Sequence, residues 1–147
     1  MSTRETILAA LFAQIAPIAM LPATTLAVKV LRNSALPTKI PPGGLAILFD
    51  GDPGEPEVSF SPLTYHFEHR AELLIAVQQA SDGDTVFDAL CAVLGTAIVA
   101  DRTLGGLCDW IEPMAPSPEE IPIEGAVTIK AARIPIILHY ATISPLG

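Results

Sequence analysis

The hydrophobic pattern of residues 64–100 changes period within a few residues, and this change limits the folds open to the chain. From 65 to 77 apolar side chains recur at alternate positions, as in a strand with one buried face. These positions are Tyr65, Phe67, Ala71, Leu73, Ile75 and Val77. After the break at 81–84 the spacing becomes helical, with the stripe Phe87, Leu90, Cys91, Leu94 and Ile98. The pattern predicts a long strand leading into a helix that packs on the same sheet.

Both expected helices carry start signals. Ser2 and Glu5 have the spacing of a capping box, and an apolar stripe follows at Ile7, Leu8, Leu11, Phe12 and Ile15. Pro17 is expected to end this helix. Asp84 precedes the second helical pattern, where its side-chain oxygen is predicted to cap the first free amides.

Shorter apolar runs predict the remaining strands. They fall at 24–32, 44–49, 58–60, 108–114 and 126–142. An acidic turn at 50–57 joins two of them into a hairpin, and a Pro-rich acidic loop is expected at 113–122. Pro135 predicts that the last strand is an edge strand or carries a bulge. We therefore predict an α+β fold: a mixed, mainly antiparallel β-sheet with a long hairpin and two main helices packed on one face, in a single domain over 1–147.

The composition favours self-association. Hydrophobic residues make up 50% of the chain and charged residues 16%, whereas about a quarter of an ordinary soluble domain is charged. Because a lone domain of this size would leave large apolar patches in water, a subunit interface is expected. Residues 6–28 carry no charge, but Gln14, Pro17 and Pro22 interrupt them. We expect neither a membrane span nor a cleaved signal peptide there.

The charge and the motifs exclude several functions. A net charge of -8 argues against tight nucleic-acid binding, which needs clustered Lys and Arg. Cys91 and Cys108 are expected to be small buried hydrophobes in a reducing compartment. No nucleophile elbow, phosphate-binding loop or zinc-protease motif occurs. Glu119 and Glu120 are expected to be solvated. We therefore expect no catalytic set and no cofactor.

Two metal-binding patterns also fail on geometry. His66 and His69 are three residues apart on a predicted strand, so their side chains point to opposite faces and cannot share a metal ion. Asp50 and Asp52 have the first spacing of a calcium loop, but Gly54, Glu55 and Ser61 stand where a ligand, a glycine and the closing carboxylate are required. A solvated strand face and a solvated hairpin tip are the expected structures.

The order of the elements resembles the tail terminator, or tail completion, proteins of long-tailed bacteriophages. The resemblance covers nearly the whole chain. It consists of the capped N-terminal helix, the apolar strand before the acidic hairpin, and the segments TVFDALCAVL, LGGLCDW and AARIPIILHYAT. It implies a homohexameric ring that caps the tail tube, stops tube polymerisation and joins the tail to the head. The implied partners are further copies of the chain, the tail-tube protein and the head-tail connector proteins, with DNA only in passage and no membrane.

This resemblance implies a place in the virion tail, and in the host cytoplasm during assembly. The polar face of the long strand is the expected oligomer interface, with a merely solvated sheet face as the alternative: His66, Glu68, Arg70 and Glu72. The hairpin acids are expected at the ring lumen or at a tail-tube contact: Asp50, Asp52, Glu55 and Glu57. Trp110 and Phe87 are expected in the core. The alternatives are another head-tail neck connector or, from a different class, a small oligomeric enzyme such as an acyl-group transferase.

Overall fold

A mixed β-sheet with helices on one face forms the framework of the protein. The computed structural model describes residues 1–20, 27–37, 39–79, 81–119 and 129–147. The helices are α1 (Thr3–Ile15), a 3-10 helix (Ala16–Met20) and α2 (Gly83–Val99). The strands are β1 (Lys29–Arg32), β2 (Leu45–Asp52), β3 (Glu57–Ser59), β4 (Thr64–Gln78), β5 (Trp110–Pro113), β6 (Ser117–Glu119) and β7 (Ile129–Thr142).

The two longest strands lie side by side at the centre of the sheet. The strand order is β1-β2-β4-β7-β5, with β3 paired to β4 and β6 paired to β7. The register of β4 and β7 runs without a break from the pair Tyr65 and Thr142 to the pair Gln78 and Ile129. Only β1 and β2 are parallel among the described strands. The α+β prediction is confirmed.

The sheet has a core on each face, but the two cores differ in extent. The helix face carries the larger one, built from α1, α2 and the strands; its fully buried members include Ile7, Leu11, Leu73, Ile75, Leu94, Ile98, Ile111 and Ile136. The other face carries a smaller cluster of Ile40, Leu45, Ile47, Leu74, Ala76 and Ala131. Alternation of buried and exposed residues along β4 therefore stops near Leu74, because both faces are covered from there on.

A bulge in β2 changes the sheet face to which the side chains at the end of that strand point. Phe49 lies opposite Glu72, but the next pair is Asp52 with Arg70, so two residues of β2 face a single residue of β4. Gly51 occupies the bulge with φ +71°, a backbone conformation that residues with a Cβ rarely adopt. The extra residue places Asp52 on the same sheet face as Arg70, because cross-strand partners share a face.

Pro135 does not place the last strand at an edge, so that part of the prediction was wrong. β7 lies between β4 and the pair β5 and β6. The Pro135 carbonyl accepts a hydrogen bond from the Met114 amide on the β5 side. Because the amide and carbonyl of a strand residue point the same way, the N–H that proline lacks would also face that side. Pro135 therefore removes no hydrogen bond between β7 and β4.

The helix ends only partly follow the sequence signals. Ser2 caps α1, and its Oγ accepts from the Glu5 amide at 3.1 Å, as predicted. The predicted cap at Asp84 was wrong, since Asp82 holds the N-cap position of α2. Asp84 instead accepts a hydrogen bond from the Lys130 ammonium at 2.7 Å. A charged first-turn side chain here ties the helix to β7 rather than to its own amides.

Several strand bounds also differ from the predicted ones. The strand predicted at 24–32 is described only at Lys29–Arg32, and the one predicted at 108–114 spans Trp110–Pro113. Part of the predicted loop at 113–122 forms β6 (Ser117–Glu119). The predicted positions 24–26, 120–122 and 126–128 lie outside the described residues.

Replacing Gly51 with alanine is expected to lower the free energy of unfolding by about 3 kcal/mol. The new Cβ would lie 1.9 Å from the carbonyl oxygen of Arg70. Gly105→Ala is the matched control, because Gly105 has φ +72° and a Cβ there meets nothing within 4 Å; its expected loss is about 1 kcal/mol. Urea unfolding measures both variants, and equal losses would contradict the bulge geometry.

Candidate functional site

An open cavity lies where the β3–β4 hairpin meets β7 and the start of β5, and we call it the acidic cavity. Its volume is about 440 Å³, and it is lined by Glu55, Glu57, His66, Phe67, Glu68, Asp109, His139 and Tyr140. Four of these eight side chains are carboxylates, and none of the eight is Lys or Arg. The cavity therefore presents a concentrated negative charge to any ligand that approaches it.

The acidic cavity brings together residues from both predicted sets. Glu55 and Glu57 come from the hairpin acids, and His66 and Glu68 come from the long strand. The pairing of Glu57 with His66 across β3 and β4 accounts for this meeting. Two further lining residues, Asp109 and His139, were missed by the sequence analysis. His139 could be identified only from the register of β4 with β7, which sets it opposite Glu68.

The other members of the two sets lie outside this cavity. Arg70 is exposed on the sheet face away from the helices, and the structure gives it no salt bridge within the described residues. Glu72 is half-buried and accepts a hydrogen bond from the Arg133 guanidinium at 2.9 Å. Asp52 accepts from the Gly54 amide at 2.8 Å. The predicted turn at 50–57 begins later than expected, since β2 continues to Asp52.

Asp50 belongs to an ion-pair network on the helix side of the sheet. The Arg32 guanidinium donates to both carboxylate oxygens of Glu5 at 2.9 Å and to Asp50 Oδ1 at 3.0 Å. The hydrogen bond from Arg32 holds the pKa of the Glu5 carboxyl below its usual value. A bidentate guanidinium pair fixes orientation as well as distance. The network thus fastens the first turn of α1 to the edge of the sheet.

A buried series of hydrogen bonds runs from Asp50 to Tyr140, which lines the acidic cavity. His69 is 1% exposed, and its Nε2 is hydrogen-bonded to the Asp50 carbonyl, which can only accept. Nε2 therefore carries the proton, and Nδ1 accepts from the Tyr140 hydroxyl at 2.8 Å. The Tyr140 oxygen in turn accepts from Arg4 Nε at 3.1 Å. Both ring nitrogens of His69 and the Tyr140 oxygen therefore have hydrogen-bond partners when His69 is neutral.

The neutral state of His69 is favoured by its surroundings. Burial lowers the pKa of the His69 imidazole, and the nearby Arg4 guanidinium lowers it further, while the Asp50 carbonyl opposes both. The sequence analysis placed this residue on a half-exposed strand and missed its burial. The available signal was the strand period, because His69 stands on the same face as Phe67 and Ala71.

The two thiols are poorly suited to nucleophilic chemistry. Burial raises the pKa of the Cys108 thiol to about 11. Cys91 is half-exposed rather than fully buried, which corrects the expectation, and partial burial raises its pKa as well. A thiol is reactive as its thiolate, so neither side chain is activated. Within the described residues, no three His, Cys, Asp or Glu side chains are grouped to hold a metal ion.

Large apolar side chains are exposed next to the acidic cavity. Val58 of β3, together with Phe60 and Leu63 of the turn that joins β3 to β4, forms what we call the hairpin tip, with exposures of 45%, 78% and 45%. Trp110 is 45% exposed, so its predicted place in the core was wrong. It lies under the Arg102 guanidinium at 4.6 Å and donates to Glu112 at 3.1 Å.

No protein-family model matches the chain, and no curated protein is similar enough in sequence to count as a relative. Among the described helices, none combines the length and apolar character required to cross a bilayer.

Lowering the pH from about 7.5 to 5.5 is expected to destabilise the protein through His69. Its folded-state pKa lies below the ordinary 6.5, so the unfolded chain binds more protons in this range. Stability is complete above about pH 6.5 and declines below it, no more steeply than about 1.4 kcal/mol per pH unit for one proton.

Urea unfolding across this pH range measures the effect. His69→Gln should flatten the profile, because the amide can donate and accept without titrating. His66→Gln, at an exposed position of the same strand, should leave the His69-dependent slope in place. A slope that survives in His69→Gln would contradict the assignment.

Proposed function

We propose that this protein is the subunit of a homohexameric ring that ends the tail tube of a long-tailed bacteriophage. The ring caps the finished tube, stops its polymerisation and presents the surface that joins the tail to the head. Its partners are further copies of the chain, the tail-tube protein and the head-tail connector proteins. The ring acts as a structural part of the virion, without catalysis and without a cofactor.

The observation that carries the proposal is the hairpin tip. The chain buries a large core and a smaller one on the two faces of its sheet, yet it leaves Val58, Phe60 and Leu63 exposed on one hairpin. Large apolar side chains grouped at a surface are typical of protein interaction sites. Further apolar exposure at Trp110 and Met114 follows the β5 edge of the sheet.

The acidic cavity supports a place beside passing DNA. Glu55, Glu57, Glu68 and Asp109 supply negative charge, and neither Lys nor Arg is among the lining residues. Phosphates are repelled over about a Debye length, on the order of 10 Å at moderate salt. A channel wall with this charge would let DNA move through the ring without binding to it.

The mass of the purified protein is the first test. Light scattering after size exclusion should show an assembly near six times the 15.5 kDa chain, about 93 kDa, or a monomer that assembles when tail tubes are present. Added to a polymerising tail-tube protein, it should stop growth and appear at one tube end by electron microscopy. A strict monomer that leaves tube length unchanged would overturn the proposal, and binding to isolated heads alone would favour a neck connector.

Reversing the charge of Arg70 is expected to weaken the ring. Arg70 is an exposed guanidinium on the sheet face that also carries Glu68 and Glu72. If it contacts an acid of a neighbouring copy, Arg70→Glu should raise the dissociation constant of the ring by about tenfold or more. Lys39→Glu, at an exposed loop position, is the control with the same change of net charge. Mass photometry at matched concentrations measures both variants, and equal assembly would remove Arg70 from the interface.

A further inference from the structure

The helix side of the molecule carries an open apolar groove. It lies between the end of α1, the 3-10 helix and the C-terminal half of α2, and its volume is about 420 Å³. Its lining is Gln14, Pro17, Ile18, Ala92, Val93, Thr96, Ala97 and Ala100. No residue in this lining is charged, and the α2 wall is made of short side chains. The groove is therefore shaped to receive an apolar side chain rather than to supply one.

The backbone polar groups at the groove are largely satisfied already. The Gln14 side-chain amide lies 3.0, 2.9 and 3.0 Å from the carbonyl oxygens of Ala97, Ile98 and Asp101. The first two carbonyls are at the end of α2, where a helix lacks its own partners, and the Asp101 carbonyl also accepts from the Leu104 amide at 3.3 Å. Because the two N–H groups of the Gln14 amide and the Leu104 amide together supply donors for these three carbonyl oxygens, an apolar group can enter the groove without leaving them unpaired.

The hairpin tip has the complementary property. Phe60 is the most exposed aromatic side chain of the described residues, at 78%, and Val58 and Leu63 flank it. The hairpin is held by the pairing of Ser59 with Thr64 and by a 3.1 Å hydrogen bond from Thr64 Oγ1 to the Pro62 carbonyl. An aromatic side chain has few rotatable bonds, so it loses little conformational entropy on docking, and it buries about 150–250 Å².

Tip and groove do not meet within one copy of the chain. The groove lining contains no hairpin residue, and the side chain of Phe60 remains exposed in the complete chain. Two different apolar patches on one chain make a head-to-tail contact, which closes into a ring when the rotation between copies allows it. This is the symmetry that the proposed function requires.

We propose that the hairpin tip of one copy inserts Phe60 into the apolar groove of the neighbouring copy. The inference rests on the proposed ring and names the contact that closes it. Phe60 is the anchor of that contact, and Val58 and Leu63 cover its rim. The polar strand faces beside the hairpin supply the remaining area, because one aromatic side chain is far smaller than the roughly 800 Å² per partner of a standard interface.

Phe60→Ser tests the anchor against a matched control. It should raise the dissociation constant of the ring by about tenfold or more, with circular dichroism and melting temperature unchanged. Leu146→Ser removes a comparably exposed side chain, at 86%, outside the tip and should assemble as the unsubstituted protein does. Equal assembly of both variants, or an equal loss in both, would overturn the inference while a wild-type ring would still support the proposed function.

A mixing experiment tests the pairing of tip with groove. Ala92→Phe fills the groove at an exposed helix position and leaves the tip intact. At a concentration near the dissociation constant of the unsubstituted ring, neither it nor Phe60→Ser should form rings alone. Mixed together, the intact tip of one binds the intact groove of the other, and the chain of contacts stops there. Mass photometry should then show heterodimers of about 31 kDa, twice the chain mass. Restored rings, or no association, would overturn the tip-in-groove contact.

Photo-crosslinking distinguishes this occupant from others. Benzoylphenylalanine at position 60 should crosslink to residues 14–18 or 92–100 of another copy, identified with isotopically mixed subunits. A crosslink only to the tail-tube protein would overturn the inference and leave the ring proposal standing. A protein that forms no assembly with or without tail tubes would overturn both.

Discussion

The unbroken antiparallel pairing of β4 with β7 organises the molecule. These strands are much longer than their neighbours, and every other strand except β1 pairs with one of them. A chain with a long two-stranded centre gains stability only when apolar layers cover its faces. The helices cover one face along most of its length, whereas the segment around Ile40 covers the other face at one end only.

This uneven cover gives the sheet two different ends. At one end both faces are buried, and Leu73 and Leu74 are both buried although they point to opposite sides. At the other end the second face is open, and there the hairpin, the acidic cavity and Trp110 lie together. The candidate site lies where the sheet extends beyond its second layer. The same geometry leaves Phe60 exposed, because no described segment reaches the hairpin tip.

Arginine side chains decide which acids remain available at the surface. Arg32 holds Glu5 and Asp50, and Arg133 holds Glu72 and also Glu119 at 2.9 Å. These pairs are partly exposed, so each contributes modestly to stability and more to orientation. None of the four acids that line the acidic cavity has an arginine partner among the described residues. The charge that remains after internal pairing, rather than the net charge of the chain, therefore sets the field at the candidate site.

The period of the hydrophobic pattern predicted the strand at β4, the two helices and the α+β class, because alternation and helical spacing are local properties of the chain. Local patterns could not predict that Trp110 is at the surface or that β7 lies inside the sheet. Each depends on which strands pair, since β7 pairs with β4 on one side and with β5 on the other. The same holds for the site: the hairpin acids were visible in the sequence, but Asp109 and His139 join them only through strand register. The sequence by itself determined the two main helices, the longest strands and which of their faces are apolar, but it did not reveal β6. Tertiary structure alone decided the hydrogen-bond partners of His69, the choice of paired acids and the separation of tip from groove, because these depend on contacts between residues distant in sequence.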